Sequence, residues 1–138
     1  MLSIEGRAIR KEYQGQGLGT VALHDIVESD RIEAAASVTR NPAVPRLMAS
    51  SFYTVSPDLQ AADPLHHFKD DGLVRHLTEV YATHVEADPS TLPFVPGRYG
   101  DGLYGGDDPG RRLTMLPEIA EHPGNGIIMV AIDRIRRI

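Results

Sequence analysis

The sequence predicts a single α/β domain, and three observations carry that prediction. Residues 2–9 alternate apolar and polar in the manner of a half-buried strand. Residues 18–31 then set Leu18, Val21, Ala22, Ile26 and Val27 on one helical stripe, and residues 34–39 form a short apolar strand. Strand, helix and strand at this spacing make a right-handed parallel crossover. A chain of 138 residues is long enough to bury a core and short enough to be one domain.

On the first strand, Leu2, Ile4, Gly6 and Ala8 face one way and Ser3, Glu5 and Arg7 the other. Between strand and helix lies Tyr13-Gln14-Gly15-Gln16-Gly17-Leu18-Gly19-Thr20. A glycine-rich turn of this kind leaves backbone N–H groups unpaired at the helix start. The helix dipole adds about half a positive charge there, and the two together cradle a phosphate or diphosphate. Glycines let such a ligand approach without a Cβ in the way. Spacing excludes two known versions of the turn. The dinucleotide fingerprint needs a third glycine where Thr20 stands, and the P-loop needs a lysine that does not follow Gly19.

After the second strand, Asn41 stands at the start of a helix that runs to about residue 51, with Pro42 at its first position. Residues 52–55 read as the next strand, ended by Ser56-Pro57. Residues 70–85 read as a helix whose stripe holds Leu73, Val74, Leu77, Val80, Tyr81 and His84. Residues 88–112 are dense in glycine and proline, and irregular structure is expected. Arg98, Tyr99 and Tyr104 would serve either a lid or a tether there, and the sequence does not choose. Residues 126–133 form a buried final strand, followed by the basic tail 134–138.

Composition narrows the function. The net charge of −5 argues against general nucleic-acid binding, and 6% aromatic residues with no tryptophan suggest no base-stacking platform. The absence of cysteine excludes disulfides, thiolate metal sites and a cysteine nucleophile. No apolar run approaches membrane-spanning length, so the expectation is a soluble cytoplasmic protein with no membrane partner. His66, His67, Asp70, Asp71 and His76 match no established ligand spacing, and clustered polar groups of this kind are ordinarily solvated. No metal is expected.

The stretch from Ile9 to Gly19, with Gln14, Gly17 and Gly19 in the pattern Gln-x-x-Gly-x-Gly, resembles the acyl-CoA pyrophosphate loop of the GNAT N-acetyltransferase superfamily. Asn41, at the end of Ala35-Ala36-Ser37-Val38-Thr39-Arg40, stands where that family's asparagine reaches the pantetheine arm. The resemblance covers residues 2–55. It implies a mixed sheet of GNAT type, truncated at the N-terminus, with residues 1–55 as acyl-CoA-binding core, 56–125 as an insertion and 126–133 as the final strand. The implied activity is transfer of an acetyl group from acetyl-CoA to an amine, either a small molecule or a protein N-terminus or lysine. Its rival is a non-catalytic acyl-CoA-binding or assembly protein on a degraded scaffold of the same type.

The resemblance assigns acetyl-CoA to Ala8, Ile9, Arg10, Gln14, Gly15, Gln16, Gly17, Leu18, Gly19, Thr20 and Asn41. The family often carries a general base on this first strand, where Glu5 is the only carboxylate on its face; the alternative is a solvated or ion-paired glutamate beside Arg7. The family's general-acid tyrosine position is filled by Met48, and Tyr53, five residues on, serves only if the register shifts. The family also carries three strands and two helices ahead of the loop-bearing strand. Here Met1 stands directly against it, which leaves an apolar edge to be covered by a partner chain, by the long insertion or by residues upstream. Self-association or an upstream start is the expected answer.

Overall fold

The computed structural model describes residues 2–3, 33–100 and 107–133. The expected glycine turn, its helix, Glu5, Ala8 to Arg10 and the basic tail lie outside the described residues. Within them the protein is mixed α/β. A five-stranded mixed sheet is built from β1 (Leu2–Ser3), β2 (Ala34–Thr39), β3 (Thr54–Ser56), β4 (Phe94–Val95) and β5 (Gly126–Ile132). Four α-helices accompany it: α1 (Ala43–Ala49), α2 (His66–Asp70), α3 (Gly72–His84) and α4 (Pro117–Ala120). Short 3-10 turns occupy Pro89–Thr91 and Pro109–Arg112.

The strand order is β1-β2-β5-β3, with β4 also on β5. β1 pairs with β2 in parallel, Leu2 opposite Ala35 and Ser3 opposite Ala36, as the crossover reading requires. β5 runs antiparallel to β2 along one edge, from Ala34 opposite Ile132 to Thr39 opposite Ile127. On its other edge β3 pairs with Ile132 to Val130, and β4 pairs with Ile127 and Gly126. Both edges of β5 are therefore used.

Both faces are used as well. All seven residues of β5 are buried, and the two-residue period of a strand divides them between two cores. Ile127, Met129 and Ala131 join Ala35 of β2, Leu47 and Met48 of α1, and Leu113, Leu116 and Ile119. Ile128, Val130 and Ile132 join Ala36 of β2 and Val74, Tyr81 and Ala82 of α3. The small alanines of β2 let helices approach closely from both sides.

The span expected to be an insertion, residues 56–125, thus contributes to both cores, through Leu113, Leu116 and Ile119 to one and through Val74, Tyr81, Ala82 and Val95 to the other. β4 was not foreseen, because two strand residues between prolines carry no periodicity. α3 begins at Gly72, later than expected, because the Asp71 side chain accepts from the backbone N–H groups of Leu73 and Val74 and caps it. Its inner stripe is Val74, Thr78, Tyr81 and Ala82, and Val80 is exposed. β3 starts at Thr54 instead of residue 52, because Phe52 is anchored in the core and Tyr53 turns outward, 68% exposed.

A buried ion pair joins these parts. Arg40, directly after β2, is fully buried, and its guanidinium spends all five N–H donors. Nε and Nη2 donate to the two carboxylate oxygens of Asp108 at 2.9 and 2.5 Å. Nη2 also donates to the Ile119 carbonyl, and Nη1 to the carbonyls of His122 and Asn125, at 2.8 to 2.9 Å. Gly110 lies so close to the guanidinium that a Cβ there would sit 2.7 Å from its atoms.

Substitutions at this pair are predicted to be costly. Asp108→Ala leaves a buried cation without its partner, and a loss of about 3–5 kcal/mol is expected in urea unfolding. Gly110→Ala should also destabilise, because five hydrogen bonds keep the guanidinium from moving aside. Hydrogen bonds from Arg40 hold the Asp108 carboxyl below the usual carboxylate range, against the opposing effect of burial. A carboxyl whose folded pKa is depressed contributes its full stability above the unfolded value of about 3.9 and loses it as the pH falls through the folded one. Unfolding measured between pH 7 and pH 2 should therefore show an acid loss that is smaller in Asp108→Asn.

Candidate functional site

The candidate site is where β2 leaves the sheet after Thr39. β2 ends at Thr39 because Arg40 turns inward to its carboxylate and carbonyl partners. That anchor fixes the next residue, Asn41. The Asn41 backbone N–H donates to Thr39 Oγ1 at 3.1 Å, and its Oδ1 accepts from the Ala43 backbone N–H at 3.0 Å. Its carbonyl accepts from Val44 N at 3.1 Å. Side-chain bonding two residues ahead is the local turn that asparagine favours.

The helix cap differs from expectation by one position. Pro42 occupies the N-cap in helical conformation, with φ −63° and ψ −14°, and Ala43 is the first residue of α1. Asn41 performs the capping bond from outside the cap residue, since proline has no side-chain acceptor. With Oδ1 so engaged, the Asn41 amide Nδ2 is the part of the side chain that could serve a ligand.

The two residues weighed for the general acid diverge. Met48 is wholly buried in the core that packs on β5. Tyr53 lies beyond the other end of α1 from Asn41, exposed, in the bend before β3. The seven-residue helix between them spans about 10 Å. Helix α1 ends through two bonds onto one carbonyl, from Ser51 N and Phe52 N to Met48 O, each 3.0 Å.

On the other side of β2, the structure brings up a residue that pattern reading placed in an apolar stripe. Tyr81 of α3 is 1% exposed, and its hydroxyl lies 3.0 Å from the Ser3 hydroxyl of β1. The signal was available in principle, since a buried tyrosine needs a partner for its hydroxyl. In the segment where the sequence leaves lid and tether open, Tyr99 and Gly97 are hydrogen-bonded to the rest of the fold. Tyr99 donates its hydroxyl to the Val38 carbonyl at 3.1 Å and its backbone N–H to the Gly124 carbonyl at 2.9 Å. Gly97 N donates to Asn125 Oδ1 at 3.0 Å; Tyr104 lies outside the described residues.

The Asn41 turn makes a stability prediction that is separate from any ligand. Asn41→Ala removes the bond to Ala43 N, and a loss of about 1 kcal/mol is expected. Asn41→Asp keeps the acceptor and should retain most of that stability while losing the Nδ2 donor, as thermal unfolding of the two variants would reveal.

Among the described residues no helix is long and apolar enough to cross a membrane. No family model, no curated protein and no solved structure matches this chain.

Proposed function

We propose that the chain is an acetyl-CoA-dependent N-acetyltransferase of GNAT type, acting on an amine of a small molecule or a protein. The observation that supports it most is the parallel pairing of Leu2 and Ser3 with Ala35 and Ala36. That pairing brackets a connection containing the Gln14 to Thr20 turn, and the second strand leads directly to Asn41. Between the two observed strands the sequence places the glycine-rich stretch expected to bind the diphosphate, and Asn41 comes after the second strand, the order the proposed site needs.

In this reading the amides of Gln14 to Thr20 hold the CoA diphosphate, and the backbone of Ala8 to Arg10 pairs with the pantetheine amides. Asn41 offers its Nδ2 to the same arm. The acceptor nitrogen attacks the thioester carbonyl, a backbone N–H steadies the developing oxyanion, and the carbon–sulfur bond breaks. Glu5, directly or through a water, takes the amine proton, and Tyr53 is the candidate to return one to the CoA thiolate. Holding the two reactants together accounts for much of such a rate enhancement.

A second reading, a non-catalytic acyl-CoA-binding protein, is favoured by the wholly buried Met48 at the family's tyrosine position. Calorimetric titration with acetyl-CoA tests what the two readings share. Saturable binding that disappears in a folded Gly17→Val/Gly19→Val double variant is expected, and unchanged affinity in that variant would refute both. Release of free CoA thiol in the presence of mixed amines separates them: turnover supports the enzyme, and binding without turnover supports the second reading. Glu5→Gln should lower turnover and leave acetyl-CoA affinity nearly intact.

A further inference from the structure

We infer that Asp58, His66 and His67 form a binding site for a divalent transition-metal ion, with zinc the best match. The inference is independent of the acyl-CoA reading. One ligand atom from each residue lies within 4.8 Å of the others, and all three residues are half-buried. The cluster differs from the set read along the sequence. Asp71 is used to cap α3, His76 is exposed on that helix, and Asp58, eight residues before His66, comes in from the far side of a loop.

The loop is fastened so that these side chains converge. Asp58 N donates to the Pro64 carbonyl at 2.8 Å, and the Asp58 carbonyl accepts from Ala61 N at 3.2 Å. Asp63 closes the other end, accepting from Leu65 N at 3.1 Å and from Lys69 Nζ at 2.7 Å. Asp58 Oδ1 accepts from Gln60 N at 3.1 Å, which aims Oδ2 at His66 Nε2, 3.0 Å away.

A plain histidine–carboxylate hydrogen bond would account for that last distance. It does not account for His67. Neighbouring residues on a helix point about 100° apart. Yet the His66 and His67 rings sit with centroids 3.9 Å apart, tilted by 39°. Two imidazoles and one carboxylate thus each bring a ligand atom within 4.8 Å of the other two.

The donor set selects the ion. Two nitrogens and one oxygen, with no sulfur, suit zinc and its borderline neighbours better than magnesium or calcium, which prefer all-oxygen shells. Zinc bonds of about 2.0–2.2 Å set tetrahedral ligand atoms about 3.4 Å apart. The atoms now lie within 4.8 Å of one another, so binding at that spacing requires the side chains to draw together. Three protein ligands leave at least one position for water, as in open zinc sites rather than closed structural ones.

Calorimetric titration of the full chain with zinc chloride in a non-chelating buffer is the test. One zinc per chain is expected, uncompeted by excess magnesium. Asp58→Asn and His67→Ala should each weaken it by at least about tenfold, the range lost even when groups behind the ligands are removed. His76→Ala should leave affinity unchanged, and thermal unfolding of each variant confirms that the fold is intact. Absence of saturable binding, or affinity undiminished in either folded variant, overturns the assignment. Equal weakening by His76→Ala also overturns it, since that would mark loose chelation by surface histidines.

Discussion

The structure depends on the burial of Arg40. A guanidinium inside a core is tolerated only when its charge and all its N–H groups are answered. Here Asp108 supplies the charge and two acceptors, and the carbonyls of Ile119, His122 and Asn125 supply the rest. These partners lie 68 to 85 residues away along the chain, so one side chain ties the end of β2 to the 3-10 turn, to α4 and to the approach to β5. Gly110 follows from the same constraint: nothing larger than hydrogen fits where the guanidinium passes. Asn41 inherits its position from this anchor, because it is the next residue.

β5 is the second organising constraint. A strand buried on both faces and paired on both edges must be apolar throughout, and Gly126–Ile132 is nearly so. Its two faces need different covers. One receives α1, α4 and the segment just before α4, and the other receives α3. The segment between β3 and β5 is therefore integral to the core, and it also frames the parallel pair through the Tyr81 contact to Ser3.

The candidate acyl-CoA site and the inferred metal site contrast in how they are built. The first is a local grammar read along the sequence, with a glycine-rich stretch between two strands and an asparagine after the second. The second depends on a loop closing on itself, with Asp58 and Asp63 each holding backbone N–H groups by their side chains. Aspartate is suited to that work because its short side chain reaches its own backbone two residues on. The same bonding that shapes the loop leaves one Asp58 oxygen directed at the histidines.

The sequence by itself determined the elements whose signals are periodic and local. Residues 34–39 and the span from 126 were legible as strands from apolar runs of strand length, and the α3 helix from its three-to-four-residue stripe. The parallel relation of the first two strands followed from the strand–helix–strand spacing read along the sequence. Tertiary structure decided what no local pattern encodes. Phe94–Val95 became a strand only because β5 offered an open edge. Arg40 reads in sequence as an ordinary surface cation, and only the fold brings Asp108 to it. Histidines 66 and 67 read as solvated until Asp58 is placed beside them. The division has one physical cause: periodicity reports how a segment meets water and core. The partner of a charge or a hydrogen bond is chosen by the three-dimensional path of the whole chain.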